Sequence, residues 1–135
     1  MTTIEQTRNP SLLGNVVLLQ RLEGLAALGL GVAAYVWLGQ SWLVFALLFF
    51  VPDLFMLGYL RSPRIGAISY NLVHTYTAPA LVALSGLMLG PIAYGIAAIW
   101  TAHIGADRML GYGLKFETGF EHTHMGRIGK ARRKS

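Results

Sequence analysis

The tightest constraint on this chain is where its charge is missing. No Asp, Glu, Lys or Arg occurs in residues 24–52, and none in residues 65–106. About 20 apolar residues cross a bilayer, so the first run exceeds one span and the second suits two. Both are too long for the buried helices of a small soluble domain. Charged residues make up only 13% of the chain against 54% hydrophobic, about half the usual charged share. The chain therefore reads as an all-α integral membrane protein with four transmembrane helices, not as a soluble enzyme. The absence of cysteine excludes disulfides, thiolate nucleophiles and Cys-based zinc or iron–sulfur sites. Any metal must be held by His and carboxylates.

The helices are expected over residues 15–38, 41–60, 66–89 and 91–112, between a short N-terminal segment (1–14) and a basic tail (113–135). Gly39-Gln40 and Gly90-Pro91 are the turns at one end, with no charge nearby; Arg61-Ser62-Pro63-Arg64 is the turn at the other. Arg8, Arg21 and the tail fall on that charged side, so the positive-inside rule puts both termini in the cytoplasm. The N-terminus lacks the pattern of a cleaved signal peptide. Pro91 suits a first helical turn, whereas Pro52 and Pro79 should kink spans two and three and free carbonyls that something must satisfy. Met56-Leu57-Gly58-Tyr59 recurs as Met109-Leu110-Gly111-Tyr112, which suggests a parallel duplication of a helical hairpin. Gly24, Ala27, Gly29 and Gly31 allow close helix approach in span one. The net charge of +5 is concentrated in the tail, at Arg127, Lys130, Arg132, Arg133 and Lys134; it fits an anionic lipid surface, not nucleic acid.

Polar residues inside spans cost a few kcal/mol each. Glu23, Asp53, Asn71, His74, His103 and Asp107 nonetheless fall there, with Arg21 and Arg108 near the interface. Counting about 1.5 Å per residue from the cytoplasmic boundary puts Glu23, Asp53, His74, His103 and Asp107 in one layer, roughly 7 to 14 Å deep. His103 and Asp107 share a helical face by their i, i+4 spacing, with Trp100 one turn from His103; Asn71 and His74 share another. Imidazoles and carboxylates converging from separate helices are the ligand set of zinc, manganese or iron. Blander roles compete. Glu23 could pair with Arg21 or Arg108, Asp53 could cap the Pro52 kink, and Asn71 could join helices by hydrogen bonding. In the tail, His122 and His124 either reach the layer as a lid or, more ordinarily, stay solvated.

Several motifs together carry a resemblance: Arg21-Leu22-Glu23-Gly24, Pro52-Asp53, Tyr70-Asn71-Leu72-Val73-His74-Thr75-Tyr76, Ala102-His103-Ile104-Gly105-Ala106-Asp107-Arg108 and Thr123-His124-Met125-Gly126-Arg127-Ile128-Gly129. From about Arg21 to Gly129 the chain resembles domain-of-unknown-function family 4260 of bacterial membrane proteins. That resemblance implies four helices, multi-pass residence in the bacterial inner membrane, and no settled activity. In its Pro-Asp and intramembrane His pattern the chain is more weakly similar to inner-membrane metal-dependent hydrolases, whose His-rich first motif it lacks.

Two functional classes follow. One is a metal-dependent hydrolase of a lipid or lipid-linked ester or phosphoester at the cytoplasmic leaflet. Asp53, His74, His103 and Asp107 would hold a divalent ion, Glu23 would accept a proton from water, Asn71 would orient a ligand or substrate, and Arg108 would hold an anionic head group. The other is a non-catalytic ion or proton relay or binding subunit, in which four short helices enclose too little volume unless a homo-oligomer forms.

Overall fold

The computed structural model describes residues 10–129, with side chains from residue 14. Arg8 and the basic cluster Lys130, Arg132, Arg133 and Lys134 lie outside the described residues. The chain runs through α1 (Pro10–Leu38), α2 (Trp42–Phe49), a 3₁₀ helix (Val51–Leu60), α3 (Pro63–Val73), α4 (Thr77–Leu89) and α5 (Pro91–Leu110). It then forms β1 (Lys115–Phe116), β2 (Gly119–Thr123) and β3 (Gly126–Arg127). Turn chemistry sets most boundaries. α1 stops at Gly39 (φ +63°). α3 opens with Pro63 at its first turn and Ser62 accepting the Ile65 N–H at 3.1 Å, as a cap should. α5 ends at Gly111 (φ +93°), where Gly111 N–H and Tyr112 N–H bond back to the carbonyls of Arg108 and Asp107. That is a Schellman closure, which needs a left-handed residue.

Gly14–Leu38 and Trp42–Leu60 are each long and apolar enough to cross a membrane, and α3 with α4 makes a third candidate bent by 41° at its break. These segments carry apolar side chains facing outward: Trp37 and Leu60 are 86% exposed and Met88 is 91% exposed, an arrangement suited to lipid, not water. α5 is different. It holds more buried residues than any other described element and is packed by α1, α2 and α4.

Both expected kinks have local causes. Pro52 cannot donate to an α-helical ladder, and the chain continues as a ten-residue 3₁₀ helix, far longer than such helices usually run. The third helix breaks at residues 74–76, one turn before Pro79. α1 and α5 approach through small residues. A Cβ added at Gly24 or Gly31 would strike α5 backbone, and one at Gly105 would strike α1 backbone, while Gly29 faces open space. The Gly39-Gln40 and Gly90-Pro91 turns meet where Gln40 donates to the Pro91 carbonyl at 2.6 Å.

One expectation changes. The fold is not purely helical: β1, β2 and β3 form an antiparallel sheet, with Lys115 opposite Thr123 and His122 opposite Arg127, and the sheet packs on α3. Spans two and three are each broken into two helices. The repeated Met-Leu-Gly-Tyr segments also differ in conformation: Gly58 lies inside the 3₁₀ helix against α3, while Gly111 is a left-handed cap.

Candidate metal centre

The breaks that interrupt the helices also build the site. Asp53 follows the proline that switches α2 into the 3₁₀ helix, and His74 is the residue at which α3 stops. His103 and Asp107 project from one face of α5. Trp100 Nε1 donates to the Val73 carbonyl at 2.7 Å and Arg108 donates to the His74 carbonyl at 2.8 Å. α5 thereby supplies the hydrogen bonds that the broken span lacks, as apolar surroundings require. Arg108 also donates to the Tyr112 carbonyl at 2.7 Å, so it clamps two chain ends.

Asp53, His74, His103 and Asp107 converge, one ligand atom from each lying within 4.8 Å of the others. His74 Nε2 is 3.1 Å from His103 Nε2, 3.5 Å from Asp53 Oδ1 and 3.4 Å from Asp107 Oδ2. His103 Nε2 is 3.3 Å from Asp53 Oδ1 and 3.6 Å from Asp107 Oδ2. Ligands in a tetrahedron around a zinc ion at roughly 2.0–2.2 Å stand about 3.3–3.6 Å apart. Each of these five separations is close to that edge length. Both histidines are buried, while Asp53 and Asp107 retain 33% and 17% side-chain exposure. With neutral imidazoles the group carries two negative charges, which a divalent cation balances in surroundings where unpaired charge is costly.

Neighbours hold the ligands in register. His74 Nδ1 is 2.9 Å from the Tyr70 carbonyl; since that carbonyl can only accept, Nδ1 carries the proton and Nε2 is left with a lone pair toward the cluster. Such outer contacts fix the tautomer of metal-binding histidines. The His74 ring also stacks on Tyr70 at 3.6 Å, and the Tyr70 hydroxyl donates to Asp107 Oδ2 at 3.2 Å. His103 sits edge-on to Phe49, and its Nδ1 has no hydrogen-bond partner among the described residues. These features make the cluster able to hold a metal ion. A profile of the family described as Domain of unknown function (DUF4260) matches residues 17–128.

The chain belongs to the DUF4260 family. No curated protein and no solved structure matches this DUF4260 member.

The other candidate residues lie elsewhere. Glu23 is exposed and lines a pocket of about 240 Å³ with Gln20, Tyr76, Arg108 and His124; among the described residues it forms no ion pair. Asn71 accepts from the Lys115 N–H at 2.7 Å and donates to the Lys115 carbonyl at 2.8 Å, so its amide fastens the sheet to α3. His122 contacts Thr118, and His124 Nδ1 accepts from the Leu114 N–H at 2.7 Å; neither joins the cluster. Partial burial, reinforced by Arg108, holds the His124 imidazole below its ordinary value.

Tyr70 and Lys115 escaped the sequence reading. Lys115 is buried with its ammonium 3.9 Å from the Phe120 ring centre and 5.0 Å from that of Tyr70, a cation–π arrangement. Burial pushes it down to about 8, with Arg108 adding to the effect and Asp107 and Asp53 opposing it. A signal for the sheet exists in the sequence: Gly119 and Gly126, each at positive φ directly after a two-residue turn, bracket the short run Phe120 to Thr123.

Proposed function

We propose that this is a four-span protein of the bacterial inner membrane, with both termini cytoplasmic, that holds a divalent ion at Asp53, His74, His103 and Asp107 and hydrolyses a lipid or lipid-linked ester or phosphoester. The observation that carries the metal reading is the set of five ligand-to-ligand distances between 3.1 and 3.6 Å. α5 is the fourth span in this reading, its polar face covered by the other three. Zinc fits four-coordinate His and carboxylate ligation best; manganese and iron share the ligand preference.

Four protein ligands close a site, whereas catalysis needs an open position. Asp53 supplies one in this proposal: it is the most exposed ligand and sits on the 3₁₀ helix, beside an apolar cavity of about 150 Å³ lined by Pro52, Phe55, Ile99 and Trp100 that suits part of an acyl chain. A divalent ion held by these residues would lower the pKa of a bound water to near neutrality. Asp53, if released from the ion, would take the proton from the attacking water. The water oxygen would bond to the ester carbon or phosphorus, the alcohol oxygen would depart, and Asp53 would return the proton to it. Asp53 takes the proton-accepting role expected of Glu23, because Glu23 lines a different pocket.

The non-catalytic relay has one observation in its favour. Two imidazole nitrogens 3.1 Å apart, flanked by two carboxylates and continued by the Tyr70–Asp107 bond, is also an arrangement that can share a proton. Elemental analysis of detergent-purified protein separates the two. About one zinc, manganese or iron per chain is expected, with release of fatty acid or phosphate from bacterial lipid extract that stops on chelation. Failure to bind any of the three ions overturns the metal reading; bound metal without turnover on lipid overturns the hydrolase and leaves a binding protein.

A further inference from the structure

We propose that Arg21 and Arg127 form a second site, one that binds the phosphate of an anionic phospholipid head group. The site is a cavity of about 230 Å³ between α1, the end of α5 and the sheet, lined also by Val17, Gly111 and Tyr112. Among the described residues no acidic side chain lines it; the nearest carboxylate shown is that of Glu121, whose Oε1 lies 3.1 Å from where a Cβ on the lining residue Gly129 would stand.

Arg21 is held ready for an anion. Its guanidinium lies across Gly111, where any Cβ would collide with it, so the left-handed glycine that closes α5 also makes the guanidinium's bed. Among the described residues its one hydrogen bond, to the Leu110 carbonyl, is long at 3.5 Å, and its Nε is buried without a partner. A buried unpaired donor is costly and calls for a partner. Arg127 is exposed on the same cavity and makes no side-chain hydrogen bond or ion pair among the described residues. Two guanidinium groups with free donors match phosphate oxygens in charge and in planar geometry.

Free phosphate would offer the same chemistry. The surroundings favour a lipid: α1 presents Leu18 and Leu22, each more than half exposed, within a turn of Arg21, giving acyl chains a surface directly beside the head group. The inference rests on the membrane reading but not on the metal centre.

The test is native mass spectrometry of the full chain in detergent with equal amounts of phosphatidylglycerol and phosphatidylcholine. The parent should retain phosphatidylglycerol by at least about fivefold, the preference expected from one arginine near anionic lipid. R127Q, an exposed position that leaves folding intact, should fall toward parity, and R21Q likewise. R64Q removes an equal charge at an exposed pair with Glu117 and should keep the preference. A preference that survives in R127Q, or that disappears equally in R64Q, overturns the site. Thermal protection of the parent by inorganic phosphate, lost in R127Q and accompanied by no lipid preference, assigns the arginines to a soluble phosphate and overturns the lipid. Bound metal read in the same samples should be unchanged, so failure here is separate from failure of the metal centre. A parent chain that stays soluble without detergent overturns the membrane reading itself.

Discussion

His103→Ala and Asp107→Asn remove ligands from one face of α5 and separate a metal centre from a structural charge cluster. His103 Nε2 and Asp107 Oδ2 lie 3.1–3.6 Å from the other ligand atoms they face, so neither loss can be repaired by a neighbour already in place. Removing even an outer partner of a metal ligand costs about 10- to 100-fold in affinity; loss of a ligand itself should cost at least about 100-fold. Suppose free metal stands at about 100 times the parent dissociation constant. The bound ion then stabilises the fold by about 2.7 kcal/mol. A 100-fold weaker site keeps only about 0.4 kcal/mol by the same relation. Each variant should therefore lose about 2.3 kcal/mol of metal-dependent stability, and with chelator present the metal-dependent difference should vanish. The assay is thermal unfolding in detergent, with and without EDTA, beside elemental analysis. If the parent shows no EDTA-sensitive stability, or if His103→Ala binds metal as tightly as the parent, the reasoning fails. Destabilisation by Asp107→Asn alone, unchanged by EDTA, would mark Asp107 as a charge partner instead.

Arg108→Met should lower stability by about 3 kcal/mol or more, since two carbonyls each lose a charge-assisted hydrogen bond; a loss under about 0.5 kcal/mol in denaturant unfolding would show that water satisfies them. Gly105→Val should abolish monodisperse detergent-purified protein, because its Cβ falls on the backbone of Leu28 and Gly24, whereas Gly29→Ala, in open space, should purify as the parent does. Lys115 binds fewer protons folded than unfolded between about 8 and its ordinary value of 10.5. Docking of the sheet should therefore strengthen as pH rises through that window and carry its full penalty below about 8. Hydrogen exchange across residues 115–127 reads this, and a pH response that persists in Lys115→Met would refute it.

The sequence by itself determined the material the chain is built for. Charge-free runs on either side of Arg61-Ser62-Pro63-Arg64 require apolar surroundings for their helices, and glycine and proline at 39, 90–91 and 111 fix where helices turn, because those conformations are local. The four cluster residues were also legible in sequence, since equal depth and the i, i+4 spacing on α5 depend only on helical rise and period. Tertiary structure decided what faces what. Helical arithmetic gives depth along the membrane normal but not rotation about it, so Glu23, at the same depth as the ligands, turned out to line another pocket. It could not show that Asn71 would be taken up by the Lys115 backbone, or that Arg108 would close carbonyls freed at His74. Those partners come from segments far apart in the chain. The sheet escaped for a related reason: its strands of two to five residues are too short for periodicity to register, and they gain their stability from docking on α3.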